Sequence, residues 1–181
     1  MNVSPRILIL PGLGNSGPEH WQSLWEAAYP NAVRVQQADW DTPRRADWVA
    51  TLEAAIAHAD SDVVLVTHSS SCALVGFWVR QTQYAYRVQG ALLVAPSDTE
   101  ATSYPDGPTG FAPMPLERLP FRSIVVASIN DEYVTIDRAK EFAAAWGSEF
   151  VNVGAAGHIN AAAGFGAWPH GEELLRSLIQ G

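Results

Sequence analysis

Six short apolar runs, separated by longer stretches of helical spacing, constrain this chain more than any other feature. The runs are Arg6–Leu10, Ala32–Gln36, Val63–Val66, Gly90–Val94, Ile124–Ala127 and Glu149–Val153. Most are continuously apolar rather than alternating, as parallel strands covered on both faces require. Between them the spacing predicts helices near Pro18–Ala28, Arg44–Ala59, Ser70–Gln83, Ile136–Trp146 and Gly171–Ile179. Strand then helix, repeated, predicts a three-layer α/β/α fold around a mostly parallel sheet of about six strands. No repeat, low-complexity tract or linker interrupts the pattern, so one domain over residues 1–181 is expected.

Local signals set the expected boundaries. Pro18 suits the first turn of a helix, with Gly17 or Ser16 ahead of it. Trp21, Leu24, Trp25 and Ala28 recur at helical spacing and should face the sheet. The segment Ser97–Pro120 carries Pro105, Pro108, Pro113, Pro115 and Pro120 with two glycines, so an irregular connection is expected there.

Composition removes several function classes. The chain is 48% hydrophobic and 17% charged, which suits a folded core and not disorder. A net charge of −8 repels phosphate backbones, and Arg44-Arg45 is too short a basic run to reverse that; no nucleic-acid partner is expected. The single cysteine, Cys72, permits no internal disulfide. Ile7 to Leu10, cut off by Pro11, is too short for a signal-peptide core or a membrane span, so a cytoplasmic protein is expected. No H-E-x-x-H or paired-cysteine pattern occurs, and no metal or cofactor is expected. Gly12-x-Gly14-x-x-Gly17 resembles a dinucleotide fingerprint, but Pro11 opens it and Asp39 only approximates the acid that should follow.

Ligands of open parallel sheets bind beyond the carboxyl ends of the strands, so reactive side chains are sought there. After Val63–Val66 comes Thr67-His68-Ser69-Ser70-Ser71-Cys72, leading directly into a helix. A serine on such a turn presents its hydroxyl outward, yet both glycines of the G-x-S-x-G elbow are replaced, by Thr67 and Ser71. Taken alone, the stretch reads equally well as a serine-rich helix cap. After Ile124–Ala127 comes Ser128-Ile129-Asn130-Asp131, and after Glu149–Val153 comes Gly154-Ala155-Ala156-Gly157-His158. Serine, acid and histidine thus follow three strands in turn. A serine hydroxyl needs a base at neutral pH, and an imidazole needs an acid to fix its tautomer.

These stretches, with Pro11–Trp21, Gly157-His158-Ile159-Asn160 and Gly164–Pro169, resemble small serine hydrolases of the retinoblastoma-binding-protein-9 type and their YdeN-like bacterial relatives. The similarity covers nearly the whole chain. It implies a compact α/β-hydrolase fold with little or no lid, and maps nucleophile, acid and base onto Ser69, Asp131 and His158.

The remaining candidates are ordered by position. Ser70 should contribute its backbone N–H to an oxyanion, with Leu13 N–H as partner donor and Gly14 as second choice. Cys72, inside the helix start, reads as a buried packing residue. His68 should form a wall of the pocket. His20 either lines the site or packs beside Trp21, with packing favoured, and His58 and His170 read as surface residues. Asp131 is preferred to Glu132, Asn130, Asp98 and Asp137, and Trp40 is a candidate pocket residue. Two functions fit. One is an esterase-type hydrolase acting on a small acyl substrate, with no cofactor and no membrane. The other is a hydrolase fold kept as a binding module, motivated by the altered elbow. A protein partner or homo-oligomer is left open.

Overall fold

The computed structural model describes residues 4–180. Along each central strand successive side chains face opposite ways, and here both faces are apolar. Leu8, Leu10, Val63, Leu65, Ala91, Leu93, Val125 and Ala127 point into one core cluster. Their neighbours Ile7, Ile9, Val64, Val66, Leu92, Val94, Ile124 and Val126 point into a second. Two cores, one on each side, are why the runs are continuous rather than alternating.

The strands are β1 (Arg6–Leu10), β2 (Ala32–Arg34), β3 (Val63–His68), β4 (Val88–Val94), β5 (Arg122–Ala127) and β6 (Glu149–Asn152). They form one sheet in the order β2-β1-β3-β4-β5-β6, and every pairing is parallel. Helices α1 (Trp21–Ala28) and α5 (Pro169–Gln180) cover one face through Trp21, Trp25, Leu175 and Leu178. On the other lie α2 (Arg45–Ala57), α3 (Ser70–Val79) and α4 (Ile136–Trp146). The expected three-layer arrangement is met, with a sheet that is wholly parallel among the described residues. None of their helices is long and apolar enough to cross a membrane.

Several boundaries differ from the sequence expectation for local reasons. Helix α1 begins at Trp21 rather than Pro18. The chain before it makes a turn, His20 N–H donating to the Gly17 carbonyl at 3.0 Å, and His20 caps the helix by accepting from Gln22 N–H. Leu24 is half-exposed instead of facing the sheet, and Gln22 takes an inward position beside Trp21 and Trp25. Strand β2 stops two residues before Gln36, while β3 continues two past Val66 because it stays paired to β4 through His68–Val94. Helix α3 ends at Val79, where the amides of Gln81 and Thr82 both turn back to the Trp78 carbonyl. The 97–120 segment has no helix or strand; an isolated bridge joins Thr109 to Arg44.

The strand order reverses between β1 and β3, and the loops leaving their carboxyl ends part in opposite directions. Carbonyls left over by that parting are satisfied by Gln22. Its Nε2 donates to the carbonyls of Leu10 and Val66, each at 3.1 Å, while its Oε1 accepts from Ser16 Oγ at 2.7 Å. Gln22 is fully buried. A Gln22→Leu substitution leaves the Ser16 hydroxyl and two carbonyls unpaired in an apolar layer, each omission costing about 1–3 kcal/mol. The variant is expected to lose about 3 kcal/mol of unfolding free energy, measured by urea denaturation at neutral pH.

Candidate active site

The crevice at the β1/β3 reversal is where an open parallel sheet offers a ligand site, and the serine elbow lies there. Strand β3 ends at His68, and Ser69 makes the turn into α3 with φ 60° and ψ −127°. A non-glycine residue in that region is strained by about 1–3 kcal/mol. Its neighbours hold it there. Ser69 N–H donates to the Val94 carbonyl at 3.0 Å, and the Cys72 amide turns back to Ser69 O at 3.0 Å.

The two missing elbow glycines have structural replacements. Thr67 Oγ1 donates to Leu92 O at 3.2 Å and lies 3.1 Å from Cys72 Sγ, joining the elbow to β4. Ser71 Oγ donates to the Pro11 carbonyl, joining it to the loop after β1. A glycine is nonetheless essential across the gap. A Cβ on Gly12 would lie 2.6 Å from Ser69 Cβ and 3.2 Å from Ser69 Oγ.

Asp131 and His158 are brought together from two other strand ends. His158 Nδ1–H donates to both Asp131 oxygens, at 2.8 and 3.0 Å, and the Asp131 side chain is fully buried. Asp131 Oδ1 also accepts from Tyr133 N–H at 2.9 Å. The loops carrying acid and imidazole are tied to each other. Asn130 Oδ1 accepts from Gly157 N–H at 2.8 Å, Ser128 Oγ accepts from Ala156 N–H at 2.9 Å, and Ile129 N–H reaches Gly154 O at 2.9 Å. With Nδ1 committed to Asp131, the Nε2 edge of His158 is left for the cleft.

The cleft has a volume of about 220 Å³ and is lined by Ser69, Ser70, His158, Leu13, His20 and His68 together with Asn15, Ser97, Tyr104, Pro105, Glu132, Tyr133 and Asn160. Within it Ser69 Oγ hydrogen-bonds Ser97 Oγ at 2.8 Å, not His158. The amides of Leu13 and Ser70 carry no hydrogen bond to a described residue, whereas Gly14 N–H is engaged by Trp40 O at 2.9 Å. Gly14 and Trp40 therefore stand outside the lining, and Trp40 packs edge-on against Trp48 instead. Asp98 is drawn away to Arg138, at 3.1 Å, which removes it as a partner for His158. Glu132 stands exposed at the rim.

Sequence reading missed Ser97, Tyr104, Tyr133, Asn15 and Asn160. Ser97 lies just past β4, where the strand-end rule that found the others would have reached it. Tyr104 comes from the irregular segment, its hydroxyl 3.0 Å from Ser70 Oγ, and nothing in the sequence signalled that approach.

Burial sets the protonation of the remaining groups. The Cys72 thiol is pushed up to about 12, chiefly by burial, so it is an inert packing group. Burial, then Arg34, then His158, brings His20 down to about 4. His68 lies well below its ordinary value for the same leading reason, followed by His158 and His20. Among the described residues no group of three or more His, Cys, Asp or Glu is placed to hold a metal ion.

A family model described as Serine hydrolase matches residues 7–177. A YdeN-like hydrolase from Pectobacterium atrosepticum is 33% identical, with 98% of this chain and 91% of that one covered and a TM-score of 0.85. The ydeN gene product of B. subtilis is 19% identical over 98% of this chain and 100% of its own, with a TM-score of 0.75. A thermophilic esterase from Thermogutta terrifontis, in a butyrate-bound structure, is 17% identical over 97% and 82%, with a TM-score of 0.67. The last two likenesses establish the shared α/β-hydrolase fold alone. No curated protein matches the chain.

The two depressed imidazoles make stability pH-dependent with a definite sign. Unfolded, each takes up a proton near about pH 6.5; folded, each stays neutral. The unfolded state binds more protons, so stability is fully present above about pH 6.5 and falls as pH drops, for His20 until about 4. The urea midpoint is expected to decline between about pH 7 and pH 5, and His20→Asn to lessen that decline relative to wild type.

Proposed function

The chain belongs to the serine hydrolase family, and from that premise we propose that it is a carboxylesterase-like enzyme working through an acyl-enzyme on Ser69. The observation that carries this reading is the buried Asp131 carboxylate on His158 Nδ1, at 2.8 Å, beside a cleft that also holds the strained Ser69. Asp131 holds the imidazole with its Nε2 lone pair facing the cleft and stabilises the imidazolium once it forms. The Ser69 hydroxyl turns about Cα–Cβ alone, and the reading requires that rotation to carry it from Ser97 to His158.

In the first half-reaction Ser69 Oγ bonds to the acyl carbon, and its proton passes to His158 Nε2. The carbonyl oxygen takes up negative charge and meets the unengaged amides of Leu13 and Ser70, which lie in the loop after β1 and at the N-terminus of α3 respectively. One such donor contributes about 3–4 kcal/mol to the barrier reduction. The bond to the leaving alkoxide then breaks, and His158 returns the proton to that oxygen. Water attacks the acyl-enzyme in the second half, giving its proton to His158; the carboxylic acid departs and Ser69 recovers its proton.

Ser69 bonding Ser97 instead of His158 favours a second reading, a fold kept for binding with little turnover. A fluorophosphonate probe separates the two. Stoichiometric labelling at Ser69, lost in Ser69→Ala, is the outcome expected of the enzyme; a folded protein that takes no label is the binding module. Hydrolysis of a short-chain aryl ester is expected to fall on the order of 10⁶-fold in Ser69→Ala, and alkylating reagents aimed at Cys72 to leave it unchanged. Gly12→Ala is expected to lower kcat/KM on the order of 10²-fold, because ångström-scale displacement of a reacting group costs about that much. Circular dichroism should show that variant folded; full activity in it would contradict the close approach of Gly12 to the nucleophile.

A further inference from the structure

Three imidazoles line the cleft in succession, with ring centroids 4.8 Å apart from His20 to His68 and 4.8 Å from His68 to His158. Each has a different set of commitments. His158 gives Nδ1–H to Asp131, and His68 gives Nε2–H to the His158 carbonyl at 2.8 Å. His20 is the exception. Its Nδ1 faces Gln22 N–H at 3.2 Å, and a backbone amide can only donate. Nδ1 must therefore present a lone pair, and the neutral ring carries its proton on Nε2. Buried to the extent that its residue is only 7% exposed, that Nε2 meets no acceptor among the described residues. A buried N–H left unpaired in this way destabilises the free enzyme, and an acceptor supplied by a ligand removes that cost.

The same ring lines the cleft that holds Ser69. With the Nδ1 edge turned to α1, Nε2 is the ring's one uncommitted polar atom; its own surface is closed to solvent, so a molecule in the cleft meets it only through a small shift of the ring. His20 and His68 form its buried inner wall, while Glu132 marks the exposed rim. For its acyl chain to meet His20, a substrate on Ser69 would lie with that chain toward the buried wall and its leaving group toward the rim.

We propose that His20 determines substrate specificity. Its Nε2–H receives an oxygen of the acyl chain other than the scissile carbonyl, so the enzyme selects small acyl esters bearing an ether, keto or hydroxyl oxygen near the carbonyl over hydrocarbon acyl esters. The inference rests on the reading of Ser69 as nucleophile, and a site that hydrogen-bonds its substrate rejects an analogue lacking the acceptor.

The test uses two esters of equal chain length and one leaving group, p-nitrophenyl methoxyacetate and p-nitrophenyl butyrate. Their intrinsic reactivities differ, but that difference is common to every variant, so the ratio of kcat/KM values is compared between proteins. His20→Asn keeps an oxygen to cap Gln22 N–H but is too short to bring an N–H to the position of Nε2. The preference for methoxyacetate is expected to drop about tenfold in His20→Asn, the loss of one buried hydrogen bond. An unchanged ratio, or equal loss on both esters, overturns the proposal and leaves His20 a structural cap. Fluorophosphonate labelling of wild type, run in parallel, reports separately on Ser69. Ring-nitrogen NMR needs no turnover: His20 is expected to carry its proton on Nε2, and that signal to shift with methoxyacetamide but not with butyramide. A proton on Nδ1, or equal response to both amides, overturns the proposal even in an unlabelled protein.

Discussion

Two parallel strands whose order reverses must let their loops diverge, and the structure depends on how the groups exposed by that divergence are satisfied. At the carboxyl ends of β1 and β3 a single buried amide, Gln22, bonds a carbonyl from each strand and receives the Ser16 hydroxyl. The opening it sustains is narrow. Gly12 passes so close to Ser69 that no side chain fits between them, and Ser71 fastens the elbow to Pro11 across the same gap. A crevice of this kind brings backbone amides of one loop against a side chain of the other. There the carbonyls of Leu10 and Val66 are both paired.

Three histidines within one small volume show how surroundings, not residue type, decide what an imidazole does. His158 has a buried carboxylate on one edge, which fixes its tautomer and the orientation of its ring. His68 is enclosed and donates to a carbonyl, which holds it neutral and fixes one tautomer. Burial keeps His20 neutral as well, but its tautomer is dictated by a helix cap. Because the rings touch in sequence, a charge on one disfavours charge on the next.

Backbone strain is concentrated where these groups are held. Ser69 and Ile159, the residue after His158, both have positive φ, and Ile159 is β-branched. Such conformations persist only where neighbours over-determine them. Around Ser69 that role falls to the bonds from Val94 and Cys72. Around Ile159 it falls to the Trp21 indole, whose N–H reaches the Ile159 carbonyl at 2.9 Å, and to the ties between the 128–131 and 154–158 loops. Helix α1, far away in sequence, thus helps to position the end of the His158 loop.

The sequence by itself determined the layered fold, because continuous apolar runs have only one economical arrangement, strands buried on both faces. It also marked Ser69, Asp131 and His158, since strand ends are where a parallel sheet opens to ligands. It misjudged what depends on contacts between distant segments. The start of α1 moved from Pro18 to Trp21 because a side chain, not a proline, supplies the cap. Gly14 and Trp40 turned to each other's backbone rather than to the cleft. The hydroxyls at 67 and 71 proved to be fasteners in place of glycines. Only the tertiary structure decided these, along with the Ser97 hydroxyl on Ser69 and the unpaired N–H of His20. Hydrogen-bond partners for a polar side chain are chosen by which backbone groups folding leaves unsatisfied nearby, and periodicity along a chain carries no record of that.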